Sequence, residues 1–175
     1  MCHRPDVEIS SFPVSKTVAL LLLVVSALLA GTAVAVKTMP LPNLELQALD
    51  GSTVKSSDWP LQGKWVLIYV EGRCGVCTGL LVRLNKGDYP QLAAWTIVIA
   101  GGMQPKDVQA LQQRFPDLAG ASWYADAPKN ASAALDLRGA PVILGIQDKV
   151  VRWGSSGIPA DPKRLQSMLT TWTAQ

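Results

Sequence analysis

Lys64-Trp65-Val66-Leu67-Ile68-Tyr69-Val70-Glu71-Gly72-Arg73-Cys74-Gly75-Val76-Cys77-Thr78-Gly79-Leu80-Leu81 is the stretch whose reading decides the fold. Its first half, from Trp65 to Val70, is a continuous apolar run, the mark of a strand buried on both faces. Its second half places two cysteines, with two residues between them, where that strand hands over to a helix. Residues three apart on a helix share a face, with Cβ atoms about 5–6 Å apart. A disulfide tolerates Cα separations of about 4.4–6.8 Å, so one turn holds either a dithiol or a bridge. At a helix N-terminus, unpaired N–H groups and the positive end of the dipole favour a thiolate on Cys74 over the thiol. Arg73 adds positive charge beside it, and Gly75 and Val76 between the cysteines tune the same sulfur. Cys77, one turn further in, is the natural resolving thiol. A static bridge and half of a metal site are the other uses of such a pair.

Outward from this stretch, the 175 residues are 49% hydrophobic and 17% charged, which describes one globular domain plus an unusually apolar segment. That segment runs from Thr17 to Val36, without a charge and dense in Val, Leu and Ala. As a helix it would span about 30 Å, one hydrocarbon core. Two readings stand for it. Its unbroken length after the leader 1–16 favours an uncleaved anchor, whereas Ala33-Val34-Ala35 fits a signal peptide cleaved after Ala35. Either way the domain that follows is exported. Cys2 precedes the segment, so it is not the cysteine of a lipoprotein cleavage site.

The formal net charge is only +3, and no basic run or aromatic-interleaved patch stands out, which leaves nucleic-acid binding without support. The one histidine, His3, lies ahead of the apolar segment. The exported part therefore has no imidazole for Cys-His hydrolysis or for His-dependent metal chemistry. Cys74 and Cys77 are too few for a four-ligand zinc shell, although two thiolates suit Cu(I). Thiol-disulfide exchange itself needs no cofactor.

Along the chain, 37–43 reads as an extended proline-bearing linker and 44–175 as the folded domain. Leu44 to Ala48 alternates apolar and polar residues, and Asp50-Gly51 turns it towards Thr53-Val54-Lys55 as a hairpin. The helix after Cys74 runs to about Lys86 with Leu80, Leu81 and Leu84 inward. Trp95 to Ala100 is a second buried strand, Pro105 to Phe115 a surface helix, and Ser122 to Ala125 a short strand. Asn130 is the expected N-cap of a small helix through Leu135. Pro141 stands immediately before the apolar strand Val142 to Ile146, a first position that tolerates the missing N–H. Gln147-Asp148-Lys149 turns into Val150 to Trp153. Asp161-Pro162 opens a last helix with Leu165, Met168, Leu169 and Trp172 as its stripe. Strands alternating with helices predict an α/β fold, a central mixed sheet covered on both faces with one antiparallel edge. The six tryptophans are scattered along the sequence and read as core and rim packing.

With the strand, the Cys-x-x-Cys helix and Gly139-Ala140-Pro141 before a strand in place, residues 42–173 resemble the thioredoxin-like fold. The likeness is to the membrane-anchored, exported thiol-disulfide oxidoreductases of the TlpA-like branch, which serve cytochrome c maturation and related tasks. The resemblance implies catalysis by Cys74 and Cys77 with Pro141, and a cis Ala140-Pro141 bond that sets a backbone edge beside Cys74. It also implies protein thiol or disulfide substrates, a separate partner that reloads the pair, and a single-pass protein of the bacterial inner membrane with its domain in the periplasm. Three positions depart from that pattern. Arg73 stands in place of tryptophan, Val76 in place of proline, and Ile68 in place of the buried acid of the active-site strand. Without that acid, proton transfer from Cys77 falls to Glu71 or to water. The alternative function is a non-enzymatic Cu(I)-handling or assembly module on the same fold.

Overall fold

The computed structural model of the chain describes residues 38–87 and 92–173. The leader 1–16, the apolar segment 17–36 and Cys2 lie outside the described residues, among which no helix is long and apolar enough to cross a membrane.

The expected core strand is β4 (Lys64–Glu71), following β1 (Met39–Pro40), β2 (Glu45–Gln47) and β3 (Thr53–Lys55). Every residue from Val66 to Val70 is fully buried, as an apolar run without alternation requires. β5 (Thr96–Gly101) pairs with it in parallel and β6 (Ser122–Asp126) with β5 in parallel, while β7 (Val142–Gln147) pairs with it antiparallel and β8 (Val150–Ser156) with β7 antiparallel. The strand order is β1-β8-β7-β4-β5-β6-β2-β3. Both edges are thus antiparallel, not one. The β2–β3 hairpin closes the far side of β6 through Gln47 opposite Ala125. Met39 and Pro40, in the stretch read as linker, pair with Val151 and Val150. An edge is where a strand tolerates proline.

Alternation along β4 divides the interior into two cores. Val66, Ile68 and Val70 face a cluster with Leu80, Leu81 and Leu84 of α1 (Gly75–Lys86), Val108 of α2 (Pro105–Gln113), and Leu165 and Leu169 of α4 (Pro162–Thr173). Leu67 and Tyr69 face the other cluster, with Trp59, Leu61 and Ala131 of α3 (Asn130–Ala134). Asp161 caps α4, its Oδ1 accepting the Lys163 N–H at 2.9 Å, and Pro162 takes the first helical position as expected.

Two details differ from the sequence reading. Trp95 belongs to a 3-10 turn ahead of β5 and is 42% exposed. Asn130 does not cap α3. The N-cap residue is Lys129 in a left-handed conformation, and the capping acceptor is Asp126, whose two carboxylate oxygens take the Asn130 and Ala131 N–H groups at 2.9 Å each. A carboxylate held by the strand end does from a distance what a cap side chain does locally. The tryptophans pack in the core and at its rim, and four of those scattered in sequence meet in space. Trp95 stands edge-on to Trp65, Trp172 Nε1 donates to the Trp65 carbonyl at 3.0 Å, and Trp172 stands edge-on to Trp153.

Asp126 is only 1% exposed, and burial raises its pKa above the ordinary carboxylate value, against the backbone N–H groups that lower it. A carboxyl whose folded pKa is raised binds its proton more tightly when folded. Its contribution to stability is full below the unfolded value, about 3.9, and is lost as pH rises through the folded value. Asp126→Asn removes this titration. The stability advantage of the wild type over the variant, from urea unfolding at a series of pH values from weakly acidic to neutral, should therefore shrink as pH rises. Parallel curves would refute it.

Candidate active site

β4 ends at Glu71, and the chain turns through Gly72 and Arg73 to Cys74, the N-cap residue of α1 in extended conformation. Cys74 and Cys77 form a disulfide with Cα atoms 5.1 Å apart, within the span that one helical turn offers. The Cys77 N–H donates to Cys74 Sγ at 3.0 Å. A side-chain sulfur therefore occupies the acceptor position that Ser or Asp fills in an ordinary cap. The same N–H and the helix end favour a thiolate there when the bridge is open.

The two sulfurs have unlike surroundings. Cys74 is half-buried and packs on the rim of the α1 core, whereas Cys77 is 1% exposed in the same cluster as Ile68, Val70, Leu80 and Leu81. Among the described residues the polar group that reaches Cys77 Sγ is a backbone one, the Glu71 N–H at 3.5 Å. Ile68, where the resemblance would place an acid, gives none.

Opposite Cys74 stands the proline loop. The Ala140-Pro141 bond is cis, and the Ala140 carbonyl oxygen lies 3.6 Å from Cys74 Sγ. The Pro141 carbonyl accepts the Gly157 N–H at 2.8 Å, which ties this loop to the connection between β8 and α4. Ile158 on that connection packs against α1, since a Cβ at Gly79 would stand 3.4 Å from its Cδ1. The proline loop thus faces the sulfur, and the connection between β8 and α4 packs on both that loop and α1. Behind the cysteine loop, Met103 presses on Gly72, where a Cβ would come within 2.7 Å of its Cγ.

The remaining sequence candidates are placed as follows. Gly75 and Val76 start α1 and are exposed, Val76 at 55%. Arg73 is exposed beside Cys74. Glu71 reaches Cys77 only with its backbone. Its carboxylate bonds Lys129 Nζ at 2.9 Å, and by strand alternation its side chain belongs to the Tyr69 face, away from the core that holds Cys77. Lys129, Met103 and Ile158 were not singled out in the sequence, since each is brought to the site by a turn between a strand and a helix, where no periodicity announces it. The Ala140 carbonyl is the backbone edge that the resemblance implies. Among the described residues no three His, Cys, Asp or Glu side chains are grouped as a metal site. A Cu(I) ion would thus have the two thiolates as its only ligands of those types.

A mixed sheet flanked by helices, with a cysteine pair at the start of a helix and a cis-proline facing it, defines a thioredoxin-like fold. Solved structures agree. A secreted disulfide oxidoreductase of Mycobacterium tuberculosis homologous to E. coli DsbE superposes with a TM-score of 0.58 at 16% identity, over 74% of this chain and 96% of that one. The thio-disulfide isomerase of Thermus thermophilus gives 0.55 at 18% identity, over 78% and 96%. The exposed lipoprotein thioredoxin of Streptococcus pneumoniae gives 0.54 at 16%, over 74% and 99%. No protein-family model and no curated protein matches the sequence.

Proposed function

We propose that this chain is a thiol-disulfide oxidoreductase, exported and tethered by the apolar segment 17–36, that exchanges the Cys74–Cys77 pair with exported protein substrates. The observation that carries this reading is the contrast between the two sulfurs: Cys74 is accessible at a helix cap beside the proline loop, and Cys77 is buried behind it. In the reducing direction, the Cys74 thiolate attacks one sulfur of a substrate disulfide. The other sulfur leaves as a thiolate and takes a proton from solvent. Cys77 then loses its proton, attacks Cys74 Sγ, and expels the first substrate sulfur. Two electrons have passed to the substrate, and the Cys74–Cys77 bridge has formed. A reloading partner reverses the change. Cytochrome c maturation or a related assembly pathway in the bacterial periplasm is the setting that the resemblance supports.

Reduction of insulin disulfides by the dithiol form tests the activity, and the equilibrium of the pair with a glutathione buffer gives its direction. A protein that binds Cu(I) tightly when reduced and leaves insulin untouched would be the copper-handling module instead.

The proton of Cys77 goes to water or to the departing thiolate, not to Glu71. Glu71→Gln breaks an exposed ion pair worth about 0–1 kcal/mol and leaves the backbone N–H in place. The exchange rate should then stay within about twofold of wild type across neutral pH, where loss of a general base costs about 10²–10⁴-fold. A large loss of rate in the variant would restore Glu71 as the relay.

A further inference from the structure

We propose that the site selects acidic partners: polypeptides whose reactive cysteine lies in an extended segment with Asp or Glu within a few residues of it. The proposal rests on the exchange reading above and concerns which substrates that chemistry reaches. Its basis is the charge around Cys74. Arg73 adjoins the cysteine and is exposed. Arg138 is exposed on the facing loop, and neither arginine has an ion-pair partner among the described residues. Arg138 is two residues from Ala140, whose carbonyl stands 3.6 Å from Cys74 Sγ. At about 3.3–3.6 Å per residue its Cα lies within about 7 Å of the Ala140 Cα. With the carbonyl about 2.4 Å from its Cα and 3.6 Å from the sulfur, the Arg138 Cα lies at most about 13 Å from Cys74 Sγ, and Arg73 adjoins the cysteine, so both arginines are rooted within one to two Debye lengths of roughly 8–10 Å.

The acids nearby do not cancel them. The Glu71 carboxylate is neutralised by Lys129 at 2.9 Å. Asp126 is buried, with both oxygens committed to α3. Asp161 sits at the start of α4 with Oδ1 on the Lys163 N–H, beside the positive charge of Lys163 itself. Asp136 alone is exposed close to Arg138, in the same shallow cleft, and offsets part of one arginine. The surplus is positive. Val76, two residues after Cys74, is 55% exposed and Ile158 packs on the same helix, so a substrate that carries acids around an apolar residue suits this surface. Arg presents a planar fork of donors suited to carboxylates.

The test uses the reduced full-length chain in detergent and two peptide disulfides of one sequence, differing only in Glu or Lys on either side of the cysteine. The readout is the ratio of their second-order exchange rates. Any change in the nucleophilicity of Cys74 cancels in that ratio. At low ionic strength the acidic peptide should react about tenfold faster, the lower end of electrostatic steering. The ratio should fall towards one in about 1 M salt, where the Debye length is about 3 Å. Arg73→Glu with Arg138→Glu should invert the preference, and each single reversal should move it part of the way, so that a misfolded double variant does not decide the matter. A ratio of one at low salt in the wild type, or a preference for acid that survives both reversals, would overturn the proposal. No exchange with either peptide would overturn the oxidoreductase reading and this one with it, an outcome distinct from a ratio of one.

Discussion

Cys77→Ser is expected to stop turnover while leaving the first chemical step intact, so that substrates remain covalently joined to Cys74. The structure separates the two steps by depth. Cys74 caps α1 with its sulfur on the Cys77 N–H and faces the Ala140 carbonyl of the proline loop. Cys77 is sealed under that surface among Ile68, Val70 and Leu80. A serine hydroxyl at position 77 keeps the size of the side chain and the helix N–H bond that orients Cys74, but it cannot displace the substrate sulfur. Ile68 stands in the same cluster as Cys77, where the resemblance would place an acid, so even the wild type should hold its mixed disulfide longer than a relative that carries an acid there. The measurement is non-reducing electrophoresis and mass spectrometry of the variant expressed in an exporting cell. Discrete adducts that disappear on reduction are expected with Cys77→Ser and should be absent with Cys74→Ser, which removes the attacking atom. Insulin reduction should fall to background in both variants. Adducts of equal yield on both variants would mean that Cys77 is reached directly from solvent, contrary to its burial.

The route from sequence to this site was legible in some places and closed in others, for physical reasons. Trp65 to Val70 announced a doubly covered strand because no polar residue interrupts it, and Cys74 at the strand's exit announced a helix cap. Pro141 was legible because a proline ahead of an apolar run has so few places to stand. The direction of the Glu71 side chain was not legible. Spacing alone put a carboxylate three residues before Cys74, and only the pleat of β4 shows that its side chain leaves on the Tyr69 side towards Lys129. The capping of α3 was hidden for a related reason. Asn130 has the chemistry of a local cap, yet Asp126, fixed at the end of β6, reaches the same N–H groups and leaves Asn130 exposed. The meeting of Trp65, Trp95, Trp153 and Trp172 depends on strand order, which local pattern does not contain.

Gly101→Ala should be the most destabilising single methyl addition on the far face of the sheet, and its cause can be isolated. Gly101 is fully buried in β5, opposite Glu71 of β4 and Asp126 of β6. A Cβ there would overlap the Tyr69 hydroxyl and stand 2.6 Å from its Cζ. Tyr69 yields only at a cost, being fully buried in the same cluster as Ala131 and Leu135. Overpacking of this kind costs about 1–3 kcal/mol, occasionally more, which in a domain of this size lowers Tm by about 2–4 °C per kcal/mol. The hydroxyl itself is an unusual occupant. It finds no hydrogen-bond partner, and burial pushes its pKa up to about 12, with the charges of Asp126 and Glu71 adding to the effect and the neighbouring Ser132 hydroxyl opposing it without being placed to bond it. Tyr69→Phe should therefore be neutral or stabilising, by up to about 1 kcal/mol, because an orphaned buried hydroxyl costs rather than contributes. In the double variant, losing the hydroxyl should recover part of the Gly101→Ala loss but not all of it, since the ring carbon still crowds the new methyl. Urea unfolding of the four proteins closes the cycle, and a coupling energy near zero would mean that the strands part to admit the methyl instead of the ring moving. The consequence would then reach the active site. Gly101 leads through Gly102 to Met103, whose side chain rests on Gly72, so a shift of β5 at this point would be felt two residues before Cys74 as a slower exchange rate, whereas a shift of Tyr69 alone would leave that rate unchanged.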